Sequence, residues 1–542
     1  MFGFRKARDS GEGNRQEPSA PVVMVESSIP KVSRRNKPMR PAVGKRGFDA
    51  AISDRLTSNW STTPLTADQV IDRNQRVLVA RSREEAQKND YLKSFLRLCD
   101  QNIVGHRGFA LQAQARDNNG GLDRGANEAL EAWWRKWQRA SNCDITGKRS
   151  FRMICKGAVK TAAKDGEFMI REIRGRNAGP MRYALQVLDP QRCPVDYNVD
   201  RLANGRFVRQ GIEFSREGRP LAFYFMTGDP AGSGYTFNGT SLDRVPADEI
   251  IHGFLEDITG QRRGIPWAAT SLWRLHMLGG LENAALTSAR TGASVGGFLE
   301  WEEGYGPEPD EEMQEDEELY IESAGGVFQE LPTGLKSKAF TQQYPSGEFA
   351  PFHKSMLRGA GAGMGVAYVS FANDLEGVNF SSIRQGVLDE RDHWMDLQEW
   401  LIETLIDRCY QSALEPALLM GLVVNNSIRL RPERIEKFRN VYWQGRRWAW
   451  VDPTKDVKAE IDAKNNMLTS PSEIIRRRGD DPDTTWRTYA DDIQAMRKAG
   501  IPDDFIMASV LGVVPGVVRP PAGDANQEED ESDDKNETPG DE

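Results

Sequence analysis

Apolar side chains recur at three- and four-residue spacing through DQVIDRNQRVLVARSREEAQKNDYLKSFLRLCDQNIVG (68–105), where Tyr91, Phe95 and Leu98 run beside Leu92, Leu96 and Cys99. That spacing predicts helices ending at Gly105. NEALEAWWRKWQR (127–139) predicts another, with Leu130, Trp134 and Trp137 on one face. FRMICKGAVKTAAKDGEFMIREIR (151–174) reads as a helix, a turn at Asp165-Gly166 and a strand. β-Branched and aromatic residues mark short strands at 182–189, 206–214, 220–227 and 248–254, with turns at Arg216-Glu217-Gly218 and Gly228-Asp229-Pro230. Helical pattern returns at 267–295 and 351–365, around an irregular section with the strand-like ELYIES and GGVFQELP. After a loop at 367–382 comes the longest amphipathic helix, with Ile383, Val387, Trp394, Leu397, Leu401, Leu405 and Cys409 in one stripe and an end before Pro416. Short helices with proline-marked starts fill 433–515. The pattern is α+β and predominantly helical, without a repeat of about 20–50 residues.

A chain of 542 residues has room for two to four packed modules. No stretch approaches the roughly 18 apolar residues of a membrane span, and the N-terminus lacks the apolar centre of a secretory signal. Neither membrane insertion nor secretion is expected. Five scattered cysteines without a C-x-x-C pair argue against a disulfide framework or a structural zinc site, and five histidines are few for a metalloenzyme. The net charge of −9 is unevenly spread: residues 1–46 hold 11 Lys/Arg against 4 acids, and residues 522–542 hold one lysine against 10 acids. Both ends read as disordered tails, one basic and one acidic. The body between them is mildly acidic, so a tight grip on nucleic acid is not expected.

Catalytic signatures are weak. GASVG (292–296) carries the letters of a G-x-S-x-G nucleophile elbow, but that chemistry sets the serine between a strand and a helix. Here a helical pattern precedes Ser294, so helix-end packing is the better reading. GAGAGMG (359–365) matches neither dinucleotide nor P-loop consensus, and Lys354 precedes the glycines; its small residues permit close helix–helix contact. Residues 300–318 hold 11 acids and no base, interrupted by Gly304, Gly306, Pro307 and Pro309. A solvated or partner-facing loop fits this run better than a fixed two-metal cluster. Trp133, Trp134, Trp137, Trp443, Trp448 and Trp450 read as core or subunit packing. Base stacking would need a basic groove, which only 429–447, with seven Lys/Arg against two acids, approaches. No catalytic residue, metal ligand set or cofactor is expected.

The order of segments resembles the lambda-type family of tailed-bacteriophage portal proteins. The matching blocks are LVARSREEAQKNDYLKSFLRLCDQNIVGHRGFALQ (78–112), the Trp133/Trp134 and Trp137 spacing, and Asp165-Gly166-Glu167. RVPADEIIHGFLEDITGQRRGIPWAATSLWRL (244–275) carries the Arg-Gly-x-Pro turn, and GVNFSSIRQGVLDERDHW (377–394) has Phe380 where the family has tyrosine. WQGRRWAWVDPTKDVKAEIDAKNNMLTSPSEIIRRRGDDP (443–482) supplies the last block.

The resemblance implies a homo-oligomeric ring, typically a dodecamer, at one capsid vertex of the virion, assembled in the host cytoplasm. Through it the terminase packages double-stranded DNA, bound without sequence specificity, and the genome later leaves. Further implied partners are the head–tail connector and the major capsid or scaffold protein. The subunit would divide into a basic arm (1–46), wing (47–266), stem helices (267–295 and 351–367) around a clip (296–350), tunnel loop (368–382), long helix and wing return (383–454), crown (455–518) and acidic tail (519–542). The resemblance makes Asn373, Asp374, Glu376, Asn379, Ser381 and Ser382 the DNA-facing residues. It puts Glu311, Glu312, Asp316 and Glu317 at the partner-docking clip. Two other classes compete: a head scaffold or minor capsid component without a channel, and a nuclease using carboxylates such as Asp310 and Asp316.

Overall fold

The computed structural model describes residues 55, 58–227, 241–294, 298–301, 335–338, 347–376, 380–425, 427–448 and 453–506. The chain divides into two units, Met1–Pro64 and Leu65–Glu542. In the first, the Ser58 hydroxyl donates to the Arg55 carbonyl. Every helix and strand among the described residues lies in the second.

Helix α1 (Ala67–Lys88) starts at Thr66, whose side chain accepts from the Gln69 N–H while the Gln69 side chain accepts from the Thr66 N–H. Its buried face mixes Ile71 and Val79 with polar Gln75 and Ser82. Asn89 ends α1 and caps α2 (Asp90–Cys99) by accepting from Tyr91 and Leu92. A π-helical turn, Asp100–Val104, closes the run at Gly105, φ 72°, where the sequence pattern puts the end. Then come β1 (Ala110–Ala113), α3 (Arg124–Trp137), the single turn α4 (Ala140–Cys143) and α5 (Phe151–Asp165). Trp134 and Trp137 stack with centroids 4.5 Å apart; Phe151, Tyr410 and Trp443 meet Trp134 edge-on at 5.4, 5.5 and 5.6 Å. Burying each such ring contributes on the order of 3 kcal/mol. These tryptophans are core, so they offer no face to a base.

Gly166 turns α5 into β2 (Glu167–Arg174) with φ +94°. Strands β3 (Tyr183–Leu188), β4 (Phe207–Arg209), β5 (Ile212–Phe214), β6 (Pro220–Met226), β7 (Leu242–Pro246) and β8 (Ile250–Phe254) come next. They form two antiparallel sheets, ordered β3-β2-β8 and β4-β5-β6-β7. The single strand expected at 206–214 is a hairpin instead. Gln210 and Gly211 both take positive φ, 54° and 80°, the backbone of a tight two-residue reversal. β7 is unforeseen, because Leu242-Asp-Arg-Val-Pro has little apolar content.

The second helical half comprises α6 (Leu272–Ser294), the hairpin strands β9 (Phe298–Trp301) and β10 (Leu335–Lys338), α7 (Phe349–Gly363), α8 (Tyr368–Ala372) and α9 (Phe380–Leu401). A π-helical turn, Ile402–Ile406, joins α9 to α10 (Asp407–Leu419). The helix does not stop before Pro416: the proline sits inside α10, close to its end. Its missing N–H forfeits a backbone bond, and buried Ala417 and Leu418 hold the final turn in spite of it. The small hairpin β11 (Val424–Asn425) and β12 (Ile428–Arg429), the turn α11 (Ile435–Phe438) and β13 (Val441–Gln444) lead back to β1, with Leu111 opposite Trp443. Helices α12 (Pro453–Asn465), α13 (Pro471–Arg477) and α14 (Pro482–Lys498) each begin at a proline, as the sequence predicts.

One buried ion pair ties these parts together. Glu167 and Arg263 are both fully buried, with Arg263 Nη2 2.6 Å from Glu167 Oε1. Arg263 also donates to the carbonyls of Gln210 (2.7 Å), Cys193 (3.1 Å) and Pro190 (3.2 Å). Glu167 accepts from Gln75 and the Gly264 N–H, and its Oε2 lies 2.8 Å from His252 Nε2. Burial alone would push the Glu167 carboxyl up, but Arg263 and His252 outweigh it and hold it at about 2. The flanking glycines interlock: a Cβ at 264 would lie 2.0 Å from the Gly166 carbonyl oxygen, and one at 166 would lie 2.5 Å from the Ile265 backbone.

Two substitutions probe this junction. Gly264→Ala forces backbone against backbone and should cost about 3 kcal/mol, read as a lowered urea midpoint; an unchanged midpoint would mean the two loops are free to part. Glu167→Gln strands the Arg263 charge and should cost about 3–5 kcal/mol at neutral pH. Because the folded pKa lies below the ordinary 4.5, the ionised carboxylate stabilises above pH 4.5 and loses that contribution as pH falls towards 2. The gap between parent and variant should therefore narrow over that window in pH-dependent denaturation, and a gap constant with pH would contradict the assignment.

Candidate functional site

The segment after α7 is where sequence reasoning puts the functional residues, and glycines set its base. A Cβ at Gly359 would strike the Arg274 guanidinium at 2.2 Å, and one at Gly363 would meet Ser271 Oγ at 2.6 Å. The small residues of 359–365 thus let α7 lie against the start of α6, where Ser271 Oγ donates to the Ala360 carbonyl at 2.9 Å. Further along, His353 Nε2 on α7 lies 2.5 Å from Glu282 Oε1 on α6, and the Tyr91 hydroxyl of α2 donates to the same oxygen at 3.2 Å.

Beyond α7 the chain makes the short helix α8, which Asn373 ends in the left-handed region, φ 53°. The expected loop at 368–382 is therefore helical at both ends, since α9 begins at Phe380. Asp374 accepts from the Tyr368 hydroxyl at 2.7 Å and from the Glu376 N–H at 3.0 Å, and lies 3.2 Å from Lys354 Nζ. Lys354 also reaches Glu376 at 2.8 Å. The Tyr368 hydroxyl, the Glu376 amide and Lys354 together hold the Asp374 carboxyl down at about 2. The Arg358 guanidinium lies over the Tyr368 ring. On the other side, Glu390 of α9 accepts from Ser370 (2.7 Å) and Trp394 Nε1 (3.2 Å), pinning α8 to α9.

Of the six residues read as DNA-facing, Asn373, Asp374 and Glu376 come together here, with Asn373 and Glu376 exposed. Asn379 lies outside the described residues. Ser381 and Ser382 stand in the first turn of α9. Glu311, Glu312, Asp316 and Glu317 also lie outside the described residues. Sequence reasoning missed Lys354, Tyr368, Ser370 and Glu390, whose pairings join positions 6 to 22 residues apart and leave no periodic signal.

The arrangement is a polar turn with two carboxylates and one lysine. It holds no nucleophile beside a base, and among the described residues no group of three or more His, Cys, Asp or Glu could hold a metal ion. Ser294 is the last residue of α6, so the strand–serine–helix order of an elbow is missing. The five cysteines are free and buried. Among the described residues no helix is long and apolar enough to cross a membrane.

Residues 53–398 match the family described as phage portal protein, lambda family. The chain is 31% identical over 467 residues to a probable portal protein of Halomonas phage phiHAP-1, covering 85% of this chain and 88% of that one. It is 22% identical to portal protein B of Escherichia phage lambda, covering 85% and 92%. Among solved structures it resembles chains in the neck of native and empty gene transfer agent particles, at TM-scores of 0.41 and 0.42 and 11% identity, covering 75% and 79% of this chain and 94% and 98% of those.

Lys354→Met should release both carboxylates and speed hydrogen–deuterium exchange at 372–376 while leaving the global unfolding midpoint where it was. Unchanged exchange would show that the Tyr368 contact alone orders the turn.

Proposed function

The chain belongs to the lambda family of phage portal proteins, a structural component of the capsid and not an enzyme, and from that premise we propose that it closes into a ring of about twelve copies at one vertex of the virion. Double-stranded DNA would be driven through the ring by the terminase and later ejected through it towards the head–tail connector.

The observation that carries this reading is the apolar surface of α6 and α7. Trp273, Met277 and Leu286 on α6 are 69%, 54% and 62% exposed, and Phe352 on α7 is 51% exposed. Four large side chains exposed on one pair of helices offer an apolar surface for a neighbouring subunit to cover. A head-to-tail contact repeated by rotation supplies it and closes. In this reading α6 and α7 are the stem, the 296–350 region is the clip with the acidic Glu311, Glu312, Asp316 and Glu317 facing a basic partner, and the turn at Asn373–Glu376 narrows the channel together with Asn379, Ser381 and Ser382. Residues 47–266 and 383–454 form the wing and 455–518 the crown. Lys354 partly neutralises the turn, so DNA would meet short polar groups instead of a strongly charged collar. That suits sliding: a duplex carries one charge per about 1.7 Å, and a basic wall would hold it. Assembly would take place in the host cytoplasm, with the major capsid or scaffold protein around the ring.

Mass photometry with negative-stain imaging tests the ring. Twelve copies of 60.8 kDa give roughly 730 kDa with a central hole. Trp273→Glu together with Met277→Glu should abolish that species while far-ultraviolet circular dichroism stays unchanged. Rings that survive both charges would place the subunit contact elsewhere; a chain that stays monomeric even with scaffold protein present would overturn the channel.

A further inference from the structure

Helix α10 ends in an exposed apolar cap. Leu419 and Met420 are 66% and 48% exposed, and β12 adds Ile428 at 72%. Two concavities meet at Leu419. One, of about 680 Å³, is walled by Arg174, Arg176, Arg182 and Arg439. The other, of about 510 Å³, is walled by Arg429, Arg431 and Arg434. Against these seven arginines the two linings offer only Glu415 and Glu433. Arg174 pairs with Glu172 at 2.9 Å and Arg439 with Glu436 at 2.8 Å. Among the described residues the other five arginines make no ion pair. In a chain of net charge −9 this is a local excess of guanidinium groups around an apolar floor. Guanidinium forks take carboxylates in paired hydrogen bonds, and exposed Leu, Met and Ile take apolar side chains. The surface therefore calls for an occupant that is apolar in one stretch and acidic in the next.

We propose that this surface seats the chain's own C-terminal segment, residues 507–542. That segment carries Val510, Leu511, Val513, Val514, Val517 and Val518, and then the 10 acids of 522–542. Apolar residues followed by carboxylates match an apolar floor rimmed by arginines. The chain is described as far as Ile506, and the fifteen residues from 507 to 521 can span up to about 50 Å, enough to cross a domain. A segment held at one end also avoids the closure cost of the other acidic stretch, 300–318, which begins on the paired strand β9. A DNA duplex would satisfy the arginines but leave Leu419, Met420 and Ile428 uncovered. The inference does not depend on the channel reading.

Photo-crosslinking in the full chain tests it. With Leu419 replaced by p-benzoylphenylalanine, irradiation should yield adducts to peptides within 507–542. Their amount should fall about ten-fold when the acids of 522–542 are changed to Asn and Gln, or in about 1 M salt. Hydrogen–deuterium exchange at 418–434 should speed up by about five-fold in the same neutralised variant. Adducts to 300–318, or none to 507–542, would overturn the assignment. So would a crosslink and an exchange pattern that ignore the neutralised tail but respond to added duplex DNA, which would make this a nucleic-acid surface.

Discussion

The pairing of Glu167 with Arg263 is the contact on which the architecture of the second unit depends. Moving a carboxylate and a guanidinium out of water is expensive, and it is tolerated only where nearly every polar atom of both finds a partner. Here the partners come from separate places. Gln75 belongs to α1, His252 to β8, the carbonyls of Pro190 and Cys193 to the connection between the two sheets, and that of Gln210 to the β4–β5 turn. Satisfying the carboxylate and the guanidinium together therefore fixes the first helix, both sheets and the approach to α6 relative to each other. The glycine pair seals the arrangement, because Gly166 and Gly264 meet backbone to backbone where any side chain would intrude. Polar Gln75 on the buried face of α1 makes sense only in this light: the hydrophobic pattern is broken there to serve a buried charge.

That dependence explains which parts of the fold were legible in the sequence. The α5–turn–β2 element was readable because Asp165-Gly166 breaks a 3.6-residue pattern and a β-rich stretch comes after it. The starts of α12, α13 and α14 were readable because Pro453, Pro471 and Pro482 each mark a first turn. The hairpin at Gln210-Gly211 was not, since glutamine is an unusual residue at positive φ and the carbonyl it presents is held by an arginine 53 positions away. Both π-helical turns were invisible because one extra residue in a turn leaves the apolar spacing nearly intact. Pro416 misled because burial of Ala417 and Leu418 carries the helix past it despite the lost bond.

The candidate site was legible in a coarser way. Its position was set by the block around GVNFSS, and three of its polar residues do share one turn. What the sequence did not disclose is that the turn is braced. Lys354 lies on the far side of a glycine-lined helix end from Asp374 and Glu376, and Glu390 reaches back from α9 to Ser370. Such pairs depend on how closely α7 approaches α6 and α8, which the glycines permit but do not announce.

Charge links the braced turn to the proposed role. A conduit has to let a polyanion move, so its wall cannot be strongly basic, yet a wall of bare carboxylates would raise a barrier. A turn in which one lysine sits between two carboxylates avoids both extremes, and under the proposed role its bracing would limit how far the side chains could follow a moving duplex. The arginines around Leu419 would defeat the same purpose if DNA could reach them. An acidic segment of the chain itself, seated on them, would neutralise this basic surface and leave the polyanion no hold there.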